Sequence, residues 1–177
     1  MKKVLLSLSL ALSFAVSQAQ TAFEIIQNSP NHNTLEAAVL AAGLDGALNT
    51  LDPITVFAPT DDAFNALPAG TVPALLADIP ALTNILLYHV YGGGAALSTD
   101  LFDGQVINMY NGSDITVTIN NGVFINGTSQ VIVADIPASN GVVHVVNEVL
   151  IPAAPSQYTV WDVIQNSPDH TTLEAVV

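Results

Sequence analysis

The sequence contains no cysteine and only two basic residues, Lys2 and Lys3, among its 177 residues. Without cysteine, disulfide bonds, thiol catalysis and Cys-ligated zinc are all excluded. The 15 acidic residues leave a formal net charge of −13. A nucleic-acid-binding role is excluded, because binding to phosphates depends on lysine and arginine. Binding to an anionic membrane surface is disfavoured for the same reason.

The longest strongly apolar run lies at the N-terminus, where residues 4–16 follow the two lysines and precede the small-residue sequence SQA at 17–19. This pattern is typical of a secretory signal peptide, and the run is too short to span a bilayer. Cleavage after residue 19 would remove both lysines and leave a chain of formal charge −15. We therefore expect a protein that is secreted, extracellular or at the cell surface, with no membrane insertion after cleavage.

A repeat links the two ends of the remaining chain. Residues 21–39, TAFEIIQNSPNHNTLEAAV, and residues 159–177, TVWDVIQNSPDHTTLEAVV, are identical at 12 of 19 positions. Such similarity indicates tandem copies of one domain. The sequence predicts a domain at 20–153, a linker at 154–158 and the truncated start of a second repeat at 159–177.

Helix signals dominate the first part of the predicted domain. Thr21 and Glu24 have the spacing of a capping box, and Asn33 and Glu36 repeat it at the start of a second helix that ends near Gly43. Further helices are predicted after Thr60, which precedes the acidic pair Asp61 and Asp62, and at residues 72–79 and 81–88.

Strand signals dominate the second part. Residues 115–119 and 123–125 flank an Asn-Gly pair that is typical of a tight hairpin, and further strands are predicted at 131–135 and 142–146. Together with an earlier apolar strand at 54–58, these segments predict a mixed domain with helices first and antiparallel strands after them.

Three ordered motifs carry a family resemblance: TVFAPTDDAF at 55–64, LYHV at 87–90 and SNGVVHVVNEVLIP at 139–152. Together they resemble the fasciclin domain over most of the first repeat. The resemblance implies an α+β, fasciclin-like fold. In this fold a β-sandwich or wedge of mainly antiparallel strands packs with several N-terminal and central helices.

The resemblance also implies a non-catalytic extracellular module for adhesion or matrix association that needs no cofactor. The expected partner is a cell-surface or matrix protein or polysaccharide, with self-association between repeats as a further contact. In animal members a tyrosine–histidine element and an Asp-Ile pair are linked to receptor binding. These pairs correspond here to Tyr88 with His89 and to Asp135 with Ile136. The acidic and proline positions of the adhesive animal motif are absent before Asp135, and the signal peptide is of a bacterial type.

Each candidate residue also has a structural interpretation. His89 and His144 lie among apolar residues, as buried rings bonded to backbone groups would. Asp61 and Asp62 fit a helix N-terminus better than a metal site. Two other functions stay open: a structural envelope spacer built of tandem domains, and a secreted hydrolase, although the sequence has no G-x-S-x-G, H-E-x-x-H or P-loop motif. Because the acidic residues lack basic partners, we expect stability and adhesion to rise with salt and with calcium.

Overall fold

The computed structural model describes residues 19–152. Its α-helices are α1 (Ala22–Gln27), α2 (Asn33–Ala42), α3 (Asp45–Thr50), α4 (Asp61–Asn65), α5 (Thr71–Ala77) and α6 (Ile79–Leu87), and a 3₁₀ turn covers Ser98–Asp100. Its strands are β1 (Ile54–Pro59), β2 (Val90–Tyr91), β3 (Val106–Asn108), β4 (Asp114–Ile119), β5 (Val123–Ile125), β6 (Ser129–Ala138) and β7 (Gly141–Val146).

The seven strands of this region form one sheet in the order β2-β1-β7-β6-β5-β4-β3. Strands β1 and β7 are parallel, and the other neighbours are antiparallel. The sheet curls into a nearly closed wedge against the helices. The predicted α+β class with mainly antiparallel strands is therefore confirmed.

Strands β1 and β7, which are neighbours in the sheet, are buried on both faces. In β1, Ile54 and Val56 belong to a core that packs under the helices, whereas Phe57 points into a second core inside the sheet. In β7, Val143 belongs to the core under the helices and Val146 to the core inside the sheet. Successive side chains of a strand alternate between faces, so two cores require the near-continuous apolar runs that these segments have.

Local sequence signals account for several element boundaries. The Thr21 hydroxyl accepts a hydrogen bond from the Glu24 amide at 3.2 Å, and the Glu24 carboxylate accepts one from the Thr21 amide at 2.9 Å. The Thr60 hydroxyl accepts one from the Ala63 amide at the start of α4. Asn121, in the hairpin between β4 and β5, has a φ of 51°. The predicted capping box, the α4 cap and the hairpin are confirmed.

The prediction that Asn33 caps α2 is wrong. The N-cap residue is His32, whose side chain makes no capping hydrogen bond. Instead the carboxylate of Asp61 accepts hydrogen bonds from the Asn33 amide at 3.3 Å and the Thr34 amide at 2.7 Å. The start of α2 is therefore capped by a residue 28 positions away in sequence.

The turn between β6 and β7 joins the sheet to the helices. The Asn140 side chain accepts from the Ala22 amide at 2.9 Å and donates to the carbonyls of Leu48 and Leu51. Gly141 follows at a φ of 150°, and a Cβ there would overlap the Ile54 carbonyl. The Asn-Gly pair is thus a turn, as predicted, and it also holds α1 and α3 in place.

Three predictions fall outside the described residues. These are the signal peptide, the linker at 154–158 and the second repeat at 159–177. Within residues 19–152, no helix has the length and hydrophobicity that crossing a membrane requires.

Candidate functional site

Strand β6 departs from regular pairing at its centre. Its partners on β7 shift twice, first between Val131 and Val133 and again between Val133 and Ile136. We call residues 132–136 the bulge segment. Ile132 and Val133 are 49% and 48% exposed, so two branched apolar side chains face solvent next to each other. Bulges redirect side chains locally, and they are frequent near functional sites.

Asp135 fixes the conformation of the bulge segment. Its backbone has a φ of 60°, a left-handed conformation that aspartate tolerates better than most residues. Its carboxylate accepts hydrogen bonds from the amide of Ser98, at 2.7 Å, and from the hydroxyl of Ser98. The hydroxyl bond, together with the amide bond, lowers the pKa of Asp135 below its ordinary value. The carboxylate therefore stays ionised and bound to the loop that carries Ser98.

His144 holds the same segment from beneath. Its ring is 1% exposed; Nε2 donates to the Ala96 carbonyl at 2.8 Å, and Nδ1 accepts from the Asp135 amide at 3.1 Å. The ring also stacks on Phe57, with centroids 5.5 Å apart. With both nitrogens bonded to the backbone, His144 has the structural role that the sequence suggested.

Tyr88 and His89 are buried at the junction of α6 and β2. The Tyr88 hydroxyl donates to the Asp114 carbonyl at 2.8 Å and accepts from the Asn126 side chain at 3.1 Å. His89 donates through Nδ1 to the Ile85 carbonyl at 2.8 Å and accepts at Nε2 from the Leu150 amide at 2.9 Å. Burial lowers the pKa of His89 to about 4, so the ring is neutral at physiological pH.

The two predicted pairs lie on opposite sides of β1 and β7. The His89 carbonyl accepts from the Phe57 amide at 2.9 Å, Phe57 stacks on His144, and His144 contacts Asp135. Asp135 is half-buried, and Ile136 is half-buried against the helix-side core. Tyr88 and His89 are 4% and 2% exposed. The pairs are thus connected through the core, but the structure does not bring them together on one surface.

Sequence reasoning missed the most exposed part of this region. Ile132 and Val133 belong to a run of three β-branched residues, which the alternation rule cannot assign to a buried or an exposed face. Ser98 was missed as well, because its partner Asp135 is 37 residues away. The signal that could have indicated this region is the Asp135–Ile136 pair, which directly follows the unbroken apolar run at 131–134.

A groove of about 250 Å³ lies beside the bulge segment. One wall is formed by Ile132 and Val133 of β6, and the other by Ile25 of α1 and the turn that carries Ser29 and His32. An adjoining hollow extends from Ile132 to two carboxylates, those of Asp61 and Asp62. The groove is therefore apolar along its length and acidic at one end.

A serine, an aspartate and a histidine lie near the bulge segment. Their hydrogen bonds do not connect them in the order of a hydrolytic triad. Ser98 bonds to Asp135 directly, and both nitrogens of His144 are engaged by backbone groups. A triad needs the histidine between the serine and the carboxylate. The arrangement therefore lacks the histidine that activates the serine of a triad.

A second serine–histidine contact lies in the turn between α1 and α2. The Ser29 hydroxyl and His32 Nδ1 are 2.7 Å apart, while His32 Nε2 is buried with no hydrogen-bond partner in the described region. The carboxylate of Asp61 is bonded to the start of α2. The pair therefore lacks the carboxylate that would orient the ring.

Among residues 19–152, no group of three or more histidine or acidic side chains is arranged to hold a metal ion. Asp61 serves as a helix cap, and its hydrogen bonds with Thr34 and Asn33 lower its pKa although partial burial opposes them. Asp61 and Asp62 lie in the first turn of α4, as the sequence predicted, whereas the bonds from Asp61 to the start of α2 were not predicted.

Comparison with known proteins places these features in a family. The family model of the fasciclin domain matches residues 30–152, which include all three motifs, at 55–64, 87–90 and 139–152. The chain belongs to the fasciclin domain family. The match spans β1 to β7 and the bulge segment, and it confirms the resemblance drawn from the motifs.

Relatives of this fasciclin-domain chain come from bacteria and animals. It is 41% identical over 140 residues to protein sll1483 of Synechocystis sp., a match that covers 78% of this chain and 77% of the relative. It is 37% identical over 134 residues to transforming growth factor-beta-induced protein ig-h3 of Sus scrofa, covering 76% of this chain and 20% of the relative.

A solved structure supports the fold. The chain is similar to a FAS1 domain pair from the insect cell adhesion molecule fasciclin I, with a TM-score of 0.53 and 19% identity. The match covers 75% of this chain and 48% of that chain. At this identity the likeness shows the fold alone.

Proposed function

We propose that this protein is an extracellular, non-catalytic adhesion module that binds a cell-surface or matrix protein or polysaccharide through the bulge segment. The observation that carries the proposal is the exposure of Ile132 and Val133 on a segment whose backbone is fixed by Asp135. Adjacent exposed apolar side chains are a feature of interaction sites. A fixed backbone lowers the entropy that binding would otherwise cost.

The four residues singled out by the family resemblance then divide into two roles. Asp135 and Ile136 shape the contact surface directly, the first through Ser98 and the second by anchoring the bulge segment on the core. Tyr88 and His89 act from the interior, where they hold β2 and the β4–β5 hairpin in position. Their substitution would weaken adhesion by loosening the domain.

The groove and the charge of the chain favour a partner with basic side chains. Lysine and arginine combine an apolar stem with a cationic head. Such a side chain would lay its stem against Ile132 and bring its head to Asp61 and Asp62, at the acidic end of the groove. The absence of lysine and arginine from residues 20–177 adds a long-range attraction for basic partners.

We further propose that the protein is secreted by cleavage after residue 19 and that its domain at 20–153 is followed by the start of a second repeat at 159–177. Repeated domains would raise the strength of attachment, because a second weak contact becomes intramolecular once the first has formed. The same repeats provide surfaces for self-association.

The test compares retention of labelled protein on the producer's own cells and matrix. The variant carries Ile132→Ser and Val133→Ser together. The matched control carries Val106→Ser, which removes a more exposed apolar side chain (61%) from β3. Circular dichroism and urea unfolding establish that both variants fold. We expect the double variant to lose about tenfold in affinity, which corresponds to about 1.4 kcal/mol, while the control keeps its affinity.

Equal retention of wild type and double variant would overturn the assignment of the contact to the bulge segment. Binding only between copies of the chain, with no retention on cells or matrix, would favour the structural spacer instead. Turnover of polysaccharide or ester substrates above the blank would favour the hydrolase.

A further inference from the structure

The helix-side core encloses a cavity that the adhesion proposal does not use. It has a volume of about 260 Å³ and lies between α2, α3, α6 and the strands β1 and β2. Buried apolar side chains form its inner surface, including Val39, Leu48, Val56 and Leu86. We call it the core cavity. An apolar cavity left unfilled lowers the stability of a protein roughly in proportion to its volume.

The core cavity is open to solvent at one end. Two of its lining residues, Thr50 and Tyr110, are exposed, and Tyr110 is 49% accessible. The Tyr110 ring lies where a side chain at position 92 would stand, and Gly92 leaves room for it. We infer that the mouth lies at these two exposed lining residues, where a small molecule could enter.

The interior of the core cavity offers a ligand no free hydrogen-bonding group. His89 is the polar residue of its inner wall, and both ring nitrogens are already bonded to Ile85 and Leu150. At the mouth, the Thr50 hydroxyl donates to the Gly46 carbonyl and keeps an acceptor lone pair. Because an unpaired polar group is costly to bury, the enclosed part of a ligand must be hydrocarbon.

Charge restricts the ligand further. The core cavity has no acidic or basic lining residue, and residues 20–177 contain no lysine or arginine that could pair with an anionic head group. An anion would also approach a strongly negative domain against its field. A cation would find no carboxylate among the lining residues to pair with. The ligand that fits is uncharged.

We propose that the core cavity binds one uncharged, mainly hydrocarbon small molecule, with a hydroxyl or carbonyl group at the mouth beside Thr50 and Tyr110. A cavity of about 150 Å³ accepts benzene, so the volume here corresponds to a molecule of about ten non-hydrogen atoms. This site is separate from the bulge segment, and its occupancy would stabilise the domain through linkage.

The experiment titrates the chain from residue 20 to 177 with 2-naphthol, an uncharged aromatic alcohol of matching size, and with naphthalene-2-carboxylate as its anionic counterpart. Methyl NMR shifts and calorimetry report binding. We expect saturable 1:1 binding of 2-naphthol with shifts at Leu48, Val56 and Leu86. The carboxylate should bind at least about tenfold more weakly.

Two variants locate the binding. Ala47→Phe places a ring in the cavity from its half-buried position on α3, and Ala81→Phe adds the same ring at a half-buried position on α6 outside the cavity. Affinity for 2-naphthol should fall about tenfold or more in the first variant and stay within about twofold in the second. Equal binding by both variants, equal binding of the carboxylate, or shifts scattered over the surface without saturation would overturn the proposal. If Ala47→Phe does not fold, the methyl shifts of the unmodified chain show whether 2-naphthol binds in the core cavity.

Discussion

Individual polar side chains in this domain act as connectors between elements that are distant in sequence. Asp61 links α4 to the start of α2, Asn140 links the β6–β7 turn to α1 and α3, and His144 links β7 to the loop before Ser98. Each forms hydrogen bonds with backbone groups of an element to which it does not belong. At the residue scale, polar side chains thus determine how the elements fit together.

Removal of the Asp61 carboxylate should shorten or loosen α2. Asp61→Ala leaves the Asn33 and Thr34 amides without their acceptor, and loss of such a cap costs about 0.5–2 kcal/mol. Urea unfolding monitored by circular dichroism measures this change. Asp62→Ala is the matched control, because this exposed neighbour makes no side-chain hydrogen bond within the described residues. Equal stability of the two variants would contradict the capping role.

Acidification should destabilise the domain because of His89. Burial lowers its folded-state pKa to about 4, below the ordinary value of 6.5. Between these values the unfolded chain binds a proton that the folded chain does not, so this contribution to stability is complete above pH 6.5 and decreases as the pH falls. The expected loss between pH 7 and pH 5 is about 2 kcal/mol, measured by urea unfolding.

Ring NMR signals of His89 test this pKa directly. We expect them to keep their neutral positions down to about pH 5, as a pKa near 4 requires. Titration of the His89 ring with a midpoint near 6.5 would show that the ring is accessible, and it would remove the physical basis of the predicted pH dependence.

Elements with strong local signals were predicted from the sequence, whereas several short elements were not. The capping box at Thr21 and the strand around Val117 follow from signals contained within a few residues. Helix α3 and strands β2 and β3 were not predicted, because they span only two to six residues and carry no clear periodicity. They form through tertiary contacts, as the capping of α2 by Asp61 does, and no local pattern encodes such contacts.

The close approach of β1 to Gly141 makes this glycine indispensable. Gly141→Ala introduces a Cβ that overlaps the Ile54 carbonyl, in addition to straining a φ of 150°. Gly94→Ala is the matched control, because Gly94 has a φ of 153° and no described heavy atom near the position of its Cβ. Strain alone costs about 1–3 kcal/mol.

We therefore expect Gly94→Ala to lose that amount in urea unfolding and Gly141→Ala to lose clearly more. An equal loss of unfolding free energy in both variants would contradict the close contact between the β6–β7 turn and β1.

The whole molecule carries a large uncompensated negative charge. Residues 20–177 hold all 15 carboxylates and no lysine or arginine. Mutual repulsion of exposed carboxylates destabilises the compact state, and it acts over about 10 Å at 0.1 M salt. The basic partner proposed for the acidic end of the groove beside Ile132 would be attracted by this charge.

Thermal stability should increase with ionic strength. We expect the melting temperature to rise by several degrees between low salt and about 0.5 M NaCl, because screening weakens the repulsion. Calcium chloride should have a larger effect at equal ionic strength, since calcium binds carboxylates directly. Calorimetry measures both. A melting temperature that responds to neither salt would contradict this prediction.

Adhesion is the central claim, and retention on the cells and matrix of the producing organism tests it most directly. Labelled chain from residue 20 to 177 is added at increasing concentration, and the bound fraction is measured after washing, with unlabelled chain as competitor. The account predicts retention that saturates and that unlabelled chain displaces. Retention that rises linearly without saturation, or no retention at all, would contradict it.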